Sequence, residues 1–332
     1  MRSRPEVKTR WRDAALAGEV WARLRAGEPL DDLELGTIDG RVDLSGFTLP
    51  ADDRATVATH DISGFVVSEL EGESTRALEG IVLDRIDISD GDLAGLLVTD
   101  CRIVDCRFDR AVLEGSAFWR SDIEDCTFVG ANLDRAQLGA WGLGGPGVPE
   151  GGRGNRFERS DFSRARMRWV VCPAGEFIDC CFDEVRLEHV DFGATSFVRC
   201  RFGGVLRDVE FRAVSPRSGK PTPNPMETVD FTDAELRDVR FYGLDLAGVY
   251  FPAGRQYLQF RDFSGVLQRA LNELAYDKDE VASALAAYLR KALEQQGSDQ
   301  DRGILNLDDL GADAAEVAFA RDVLERASSL RH

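Results

Sequence analysis

Little in this chain is suited to chemistry. Its 332 residues include three histidines, His60, His189 and His332, none with a partner at metal-ligand spacing, and there is no C-x-x-C pair. A zinc or thiolate centre is therefore not expected. G-x-S-x-G, a Walker loop and a G-x-G-x-x-G after a strand are all missing. No apolar run is long enough to cross a bilayer. The charged start MRSRPEVKTRWRD has no apolar segment behind it, so a secretory signal is not expected either. These absences predict a soluble, cytoplasmic protein that is not an enzyme and uses no cofactor.

Positive charge is also scarce. The chain has 41 Lys and Arg against 59 Asp and Glu, a net charge of −18. Phosphate binding needs clustered Lys and Arg, so nucleic acid is disfavoured as a direct ligand. The balance favours a partner with a basic surface, or simply solubility.

What the chain has instead is a period of five. From Leu83 every fifth residue is apolar: Ile88, Leu93, Val98, Ile103, Phe108, Leu113, Phe118, Ile123, Phe128, Leu133, Leu138 and Leu143. The series resumes from Phe157 to Phe202, with Leu206 one residue early and Phe211 after it, and again from Phe231 to Phe251. Two residues before each apolar site sits a small or modest one, often Ala, Ser or Cys, with the larger Trp141 as an exception. Five matches neither the helical period of 3.6 nor the strand period of 2, and marks an internal repeat. ANLDR (131–135), SDIED (121–125) and VDFTD (229–233) show the unit.

These units resemble the pentapeptide-repeat family, whose motif is A(D/N)LXX, over roughly residues 81–251. The resemblance implies a mainly β fold, a right-handed quadrilateral β-helix with four units per turn. Residues twenty apart should then stack. Phe157, Phe177 and Phe197 are so spaced, as are Phe162, Phe182 and Phe202, and Phe108 and Phe128. About thirty units give about seven coils, a rod roughly 35 Å long at about 4.8 Å per coil. Cys101, Cys106, Cys126, Cys180 and Cys200 fall on the small inward site, Cys172 on the large one, and Cys181 faces out. They read as packing rather than ligands. A disulfide within the twenty-apart pairs Cys106/Cys126 and Cys180/Cys200 is sterically permitted, but reduced thiols are expected in a cytosol.

The boundaries follow from where the period stops. Residues 1–35 form an N-terminal helical segment, with an amphipathic helix over 9–26 stopped by Gly27 and Pro29. Residues 36–252 hold the β-helix. Its start includes units at Leu44 and Leu49, a break at ADDRATVATH and a strand in DISGFVVSEL. Loops are expected at 144–156, dense in Gly and Pro, and at 212–228. The second could instead be a degenerate coil, since Phe211 to Phe231 is twenty residues, but its prolines favour a loop. Residues 253–332 read as an all-helical region of three helices that caps the rod, makes a homodimer, or both. Asp313 is placed to N-cap the third of these helices.

Candidate partner-binding residues lie off the repeat core. Asp105 and Asp125, and Glu114 and Asp134, are twenty apart and should form short files of negative charge. Arg153, Arg156, Arg217 and Lys220 lie in the two breaks, which are slightly basic. The best understood family members, fluoroquinolone-resistance proteins of the Qnr type and their mycobacterial counterpart, protect type II topoisomerases as acidic rods shaped like DNA. The resemblance thus implies a protein partner such as DNA gyrase or topoisomerase IV. Read without the family, the residues favour a structural interaction scaffold unrelated to topoisomerases.

Overall fold

The computed structural model describes residues 9–50, 56–61, 66–71, 76–139, 154–213, 225–277, 279–296, 301–310 and 313–329, with only the backbone for 56–61 and 66–71. The period of five is built as a β solenoid. Seven short strands stack in parallel, one per coil: Val82–Asp84, Arg102–Val104, Asp122–Glu124, Arg156–Glu158, Glu176–Ile178, Ser196–Val198 and Met226–Glu227. Three further files of parallel pairings run alongside. One joins Asp87, Arg107, Thr127, Asp161 and Cys181, and a second joins Asp92, Val112, Asn132, Arg166 and Arg186. The third joins Ala77, Leu97, Ala117, Gln137, Val171 and Asp191. Four files in twenty residues leave five residues for each side.

Each side ends in a corner. Arg85, Asp105, Asp125, Arg159, Asp179 and Arg199 all have φ between 49° and 54°, and their equivalents on the other sides, some of them glycine, lie in the same left-handed region. The left-handed region costs a non-glycine residue roughly 1–2 kcal/mol. What offsets it is the next coil: the Asp105 amide donates to Glu124 O at 3.0 Å and the Asp179 amide to Val198 O at 2.9 Å. Leu206 comes early because one residue is missing from the corner before it. There Gly204 (φ 85°) lies so close to Glu184 and Val185 that a Cβ would meet backbone atoms at 2.8 Å.

Inside, the rings stack as the twenty-residue spacing predicts. Phe157–Phe177 and Phe177–Phe197 have centroids 4.9 and 5.2 Å apart. Phe108–Phe128 and Phe162–Phe182–Phe202 form a second column, joined across the first break by Phe128–Phe162 at 4.9 Å. Phe192, Phe211 and Phe241 add a third. Adjacent columns meet edge to face, for example Phe177 and Phe182 at 5.5 Å, an arrangement that adds to area burial. All seven cysteines are free thiols, and only Cys181 is not buried. Cys126 and Cys200 donate to carbonyls of the coil below, Ile103 O and Phe177 O, and burial pushes the Cys172 thiol up to about 12.

Register changes the reading of both breaks. Ile123 pairs directly with Phe157, so Leu138 and Phe157 are consecutive inward sites and Leu143, which lies outside the described residues, is not needed between them. Asn155 and Arg156, expected in a loop, belong to the coil, and Arg156 lies on a strand. Arg212 ends the strand Arg201–Arg212, and Met226 and Glu227 form another. Phe202 stacks on Phe231 and Phe211 on Phe241. Phe211 to Phe231 therefore advances the coil by two sides rather than one turn.

Both ends of the solenoid are covered, which protects ladder edges that would otherwise pair with other chains. At the start, Leu44 and Leu49 join the next coil through backbone bonds to Asp87 and Asp92. The helix Ala14–Ala26, N-capped by Asp13, lays Val20, Trp21 and Leu24 over that coil. Trp11 precedes this helix and packs edge-on against Phe47 at 5.0 Å. Thr56–Asp61 and Val66–Glu71 pair as an antiparallel hairpin, so the expected break at ADDRATVATH is itself partly strand.

The C-terminal region is not all helical. Gly303–Asn306 pairs antiparallel with Tyr257–Phe260, and around this ribbon pack the helices Phe263–Leu274, Glu280–Gln296 and Ala314–Ser329. The apolar run Ile304–Leu307 alternates too briefly to mark a strand in the sequence. Asp313 caps the last helix, bonding the amides of Ala315 and Glu316. The ribbon closes the final coil with side chains in place of a further strand. The Leu236 amide donates to Tyr257 Oη at 3.0 Å, Asn306 Nδ2 donates to Leu236 O at 2.7 Å, and the Asp238 amide donates to Asp309 Oδ2 at 2.9 Å.

The last of these contacts makes the cap sensitive to pH. Burial, with Asp238 and Asp308 nearby and only partly offset by Arg240, raises the Asp309 carboxyl to about 6. The folded chain thus holds this proton more tightly than the unfolded chain does. The resulting stabilisation is complete below about pH 4 and is lost as pH rises through about 6. Asp309→Asn keeps the acceptor for Asp238 and removes the titration. The stability of wild type relative to Asp309→Asn should fall by on the order of 1 kcal/mol between pH 4 and 7, a figure discounted for partial solvent access. Parallel urea titrations of the two proteins measure it, and a constant difference would exclude this role for Asp309.

Candidate functional site

Asp105 and Asp125 occupy left-handed corners and Glu114 and Asp134 each precede one, and none of the four stands alone. Arg41 Nε donates to Asp105 O at 2.8 Å and its guanidinium pairs with the carboxylate. Asp125 takes a two-pronged contact from Arg159 at 2.7 and 2.9 Å, and that guanidinium holds its carboxyl below the usual range. Glu114 meets Arg135 at 3.2 Å. Asp134 is nearly buried; burial alone would raise its carboxyl, but Arg168 and Arg166 outweigh this and hold it low. The expected bare files of negative charge are therefore ladders of ion pairs. Residues twenty apart stack whatever their sign, and corner positions alternate between Asp and Arg, as in Asp90–Arg110, Asp100–Arg120 and Asp179–Arg199. Of the basic candidates, Arg156 is half-buried and paired with Glu158. Arg153, Arg217 and Lys220 lie outside the described residues.

Exposed pairs of this kind add only about 0.2–1 kcal/mol each, but they decide where net charge remains. Residues 81–139 hold twelve Asp and Glu against six Arg, whereas residues 154–213 hold ten of each sign. The first stretch is three coils, about 14 Å of axis at the inter-strand spacing. That leaves one net negative charge per roughly 2.4 Å, against about 1.7 Å for duplex DNA. The second stretch has none. A charge density near that of DNA thus marks the first three coils, and again the end of the solenoid, where residues 225–251 hold six Asp and Glu against two Arg.

Two features escaped the sequence reading. Asn155 is fully buried: its Oδ1 accepts the Ser121 amide at 2.9 Å and its Nδ2 donates to Phe118 O. Trp169 is 55% exposed although it occupies a left-handed corner (φ 58°), and its ring stacks on His189 at 4.0 Å. His189 Nδ1 in turn lies 2.7 Å from Asp208 Oδ2. Only the twenty-residue spacing of Trp169 and His189 hinted at this contact. Among the described residues, no cluster of His, Cys, Asp and Glu could hold a metal ion, and no helix is long and apolar enough to cross a membrane.

A parallel coil of five-residue sides with stacked interior rings and ion-paired corners defines a β-solenoid scaffold. A sequence model of pentapeptide repeats matches residues 104–139 in eight copies, so this stretch of the solenoid is built of pentapeptide repeats. No curated protein matches it. Among solved structures, a trypsin-treated form of QnrB1, a plasmid-mediated fluoroquinolone resistance protein, is similar over 53% of this chain and 81% of that one, at 16% identity and a TM-score of 0.40. HetL, a pentapeptide repeat protein involved in heterocyst differentiation regulation from the cyanobacterium Nostoc sp. strain PCC 7120, covers 54% of this chain and 90% of its own. Its identity is 14% and its TM-score 0.21.

Proposed function

We propose that this protein is a non-enzymatic interaction scaffold, a right-handed quadrilateral β-helix whose first three coils bind a protein partner through its basic surface. The observation that carries this reading is the excess of twelve acidic over six basic residues in 81–139, which the neighbouring stretch 154–213 lacks. A basic saddle built for DNA fits such a surface, and the family resemblance makes DNA gyrase or topoisomerase IV the named candidate. Interior side chains fill the bore, with Phe128, Phe177 and Phe202 all buried, so a substrate has no room there.

Purified protein at micromolar concentration is expected to change gyrase supercoiling, or to restore it in the presence of a quinolone. The effect should weaken as salt rises, because the contact is between exposed charges. No effect on either assay removes the topoisomerase and leaves the scaffold. A pulldown that recovers a different protein through the C-terminal region would then identify the unrelated-scaffold alternative.

A further inference from the structure

Between Ile81 and Phe251 the described residues include eighteen arginines, and fifteen of them hold a carboxylate. The three that do not are Arg164, Arg186 and Arg207. All three are exposed, and they fall on successive coils of one side or at its edge. Arg186 is in register with Arg166 below and Val205 above, and Arg207 lies two residues beyond Val205. Trp169 stands at the corner of the same side, its exposed ring backed by His189. Among the described residues of the solenoid, arginines without an ion-paired carboxylate and a solvated tryptophan coincide on this side, where Glu188 lies in register with Arg207 without forming an ion pair to it.

From this coincidence we propose that this side docks an extended acidic polypeptide segment. The geometry sets its spacing. Arg186 and Arg207 are separated by one coil, about 4.8 Å, and by two residues along the strand, about 6.8 Å, hence roughly 8 Å apart. Carboxylates on alternate residues of an extended peptide are about 7 Å apart and can meet both. An apolar side chain of the same segment covers Trp169, since Trp and Arg are the residue types that dominate binding energy at protein interfaces. A polypeptide fits better than a nucleic acid. Three free guanidinium groups answer a few carboxylates, whereas a nucleic acid brings a dense row of phosphates towards a chain of net charge −18. Screening over about 8 Å at physiological salt lets the local cations act despite that total. This surface is distinct from the acidic coils of the proposed function and takes a partner of opposite charge.

The test is fluorescence anisotropy with the full chain and a labelled peptide alternating glutamate with threonine around one central leucine. Binding is expected to fall at least tenfold in the double variant Arg186→Glu, Arg207→Glu, and several-fold in Trp169→Gly. Glycine is suited to the left-handed corner, and all three positions are exposed, so unchanged circular dichroism should accompany the loss. Wild-type binding should also weaken from 50 to 300 mM salt. Absence of wild-type binding, equal binding by both variants, equal binding of the peptide with lysine in place of glutamate, or tighter binding of an oligothymidylate would each overturn the proposal.

Discussion

Phe177→Ala is expected to lower the free energy of unfolding by about 4 kcal/mol, within the 3–5 kcal/mol typical of a buried Phe. Phe177 is fully buried between Phe157 and Phe197 and touches the edges of Phe162, Phe182 and Phe192. Truncation removes its own transfer energy and leaves a void that the rigid coils on either side cannot fill. Phe177→Leu keeps most of the volume and should cost far less, in the range below about 1.5 kcal/mol for near volume-conserving changes. The site lies mid-rod, and each coil contacts chiefly its neighbours. The alanine variant should therefore also broaden the transition as the two halves lose their coupling. Urea unfolding followed by circular dichroism measures both effects, and a loss below about 2 kcal/mol would mean that the ring columns are not the main core.

The second large effect is expected at Asn155. Its amide closes the gap left where the chain leaves the coil after Leu138: the carbonyl faces the Ser121 amide, and the NH₂ group faces Phe118 O and, at 3.4 Å, Gly139 O. Asn155→Ala strands a buried donor and a buried acceptor, at a cost of about 3 kcal/mol when each unpaired group costs 1–3. Asn155→Asp should be as harmful, because a carboxylate accepts from Ser121 but offers Phe118 no proton. Its neighbour Gly154 passes so close to Ala174 that a Cβ there would collide with the carbonyl. Deleting residues 144–152 should change stability by less than about 1 kcal/mol, since loop length adds little to closure entropy. Extending the deletion through Arg156 should unfold the coils around it. Comparing thermal melts of the two deletions decides the matter, and equal stability would falsify the role given to Asn155.

The contrast between these two residues shows what a sequence can carry. Phe177 is legible because the interior repeats: its place follows from Phe157 and Phe197 twenty residues away, and so does its stacking. Asn155 is not, because a single Asn after a run of glycines has the composition of a loop, and its partners lie 34 and 37 residues away. The cap residues Tyr257, Asn306 and Asp309 are hidden for the same reason. They meet Leu236 and Asp238 only after the ribbon Tyr257–Phe260 with Gly303–Asn306 has formed.

By itself the sequence determined the period, the inward residues, the twenty-residue stacks and the N-cap at Asp313, because each depends on neighbours at fixed, short separations. Only the tertiary structure decided that the acids at 105, 114, 125 and 134 face arginines and that the breaks each fit within a single side. It also decided that Arg164, Arg186 and Arg207 are left without carboxylates. Charge has no period of its own in this chain. Whether an Asp is paired or free is set by which residue the next coil brings above it, and insertions between coils change that partner without disturbing the repeat.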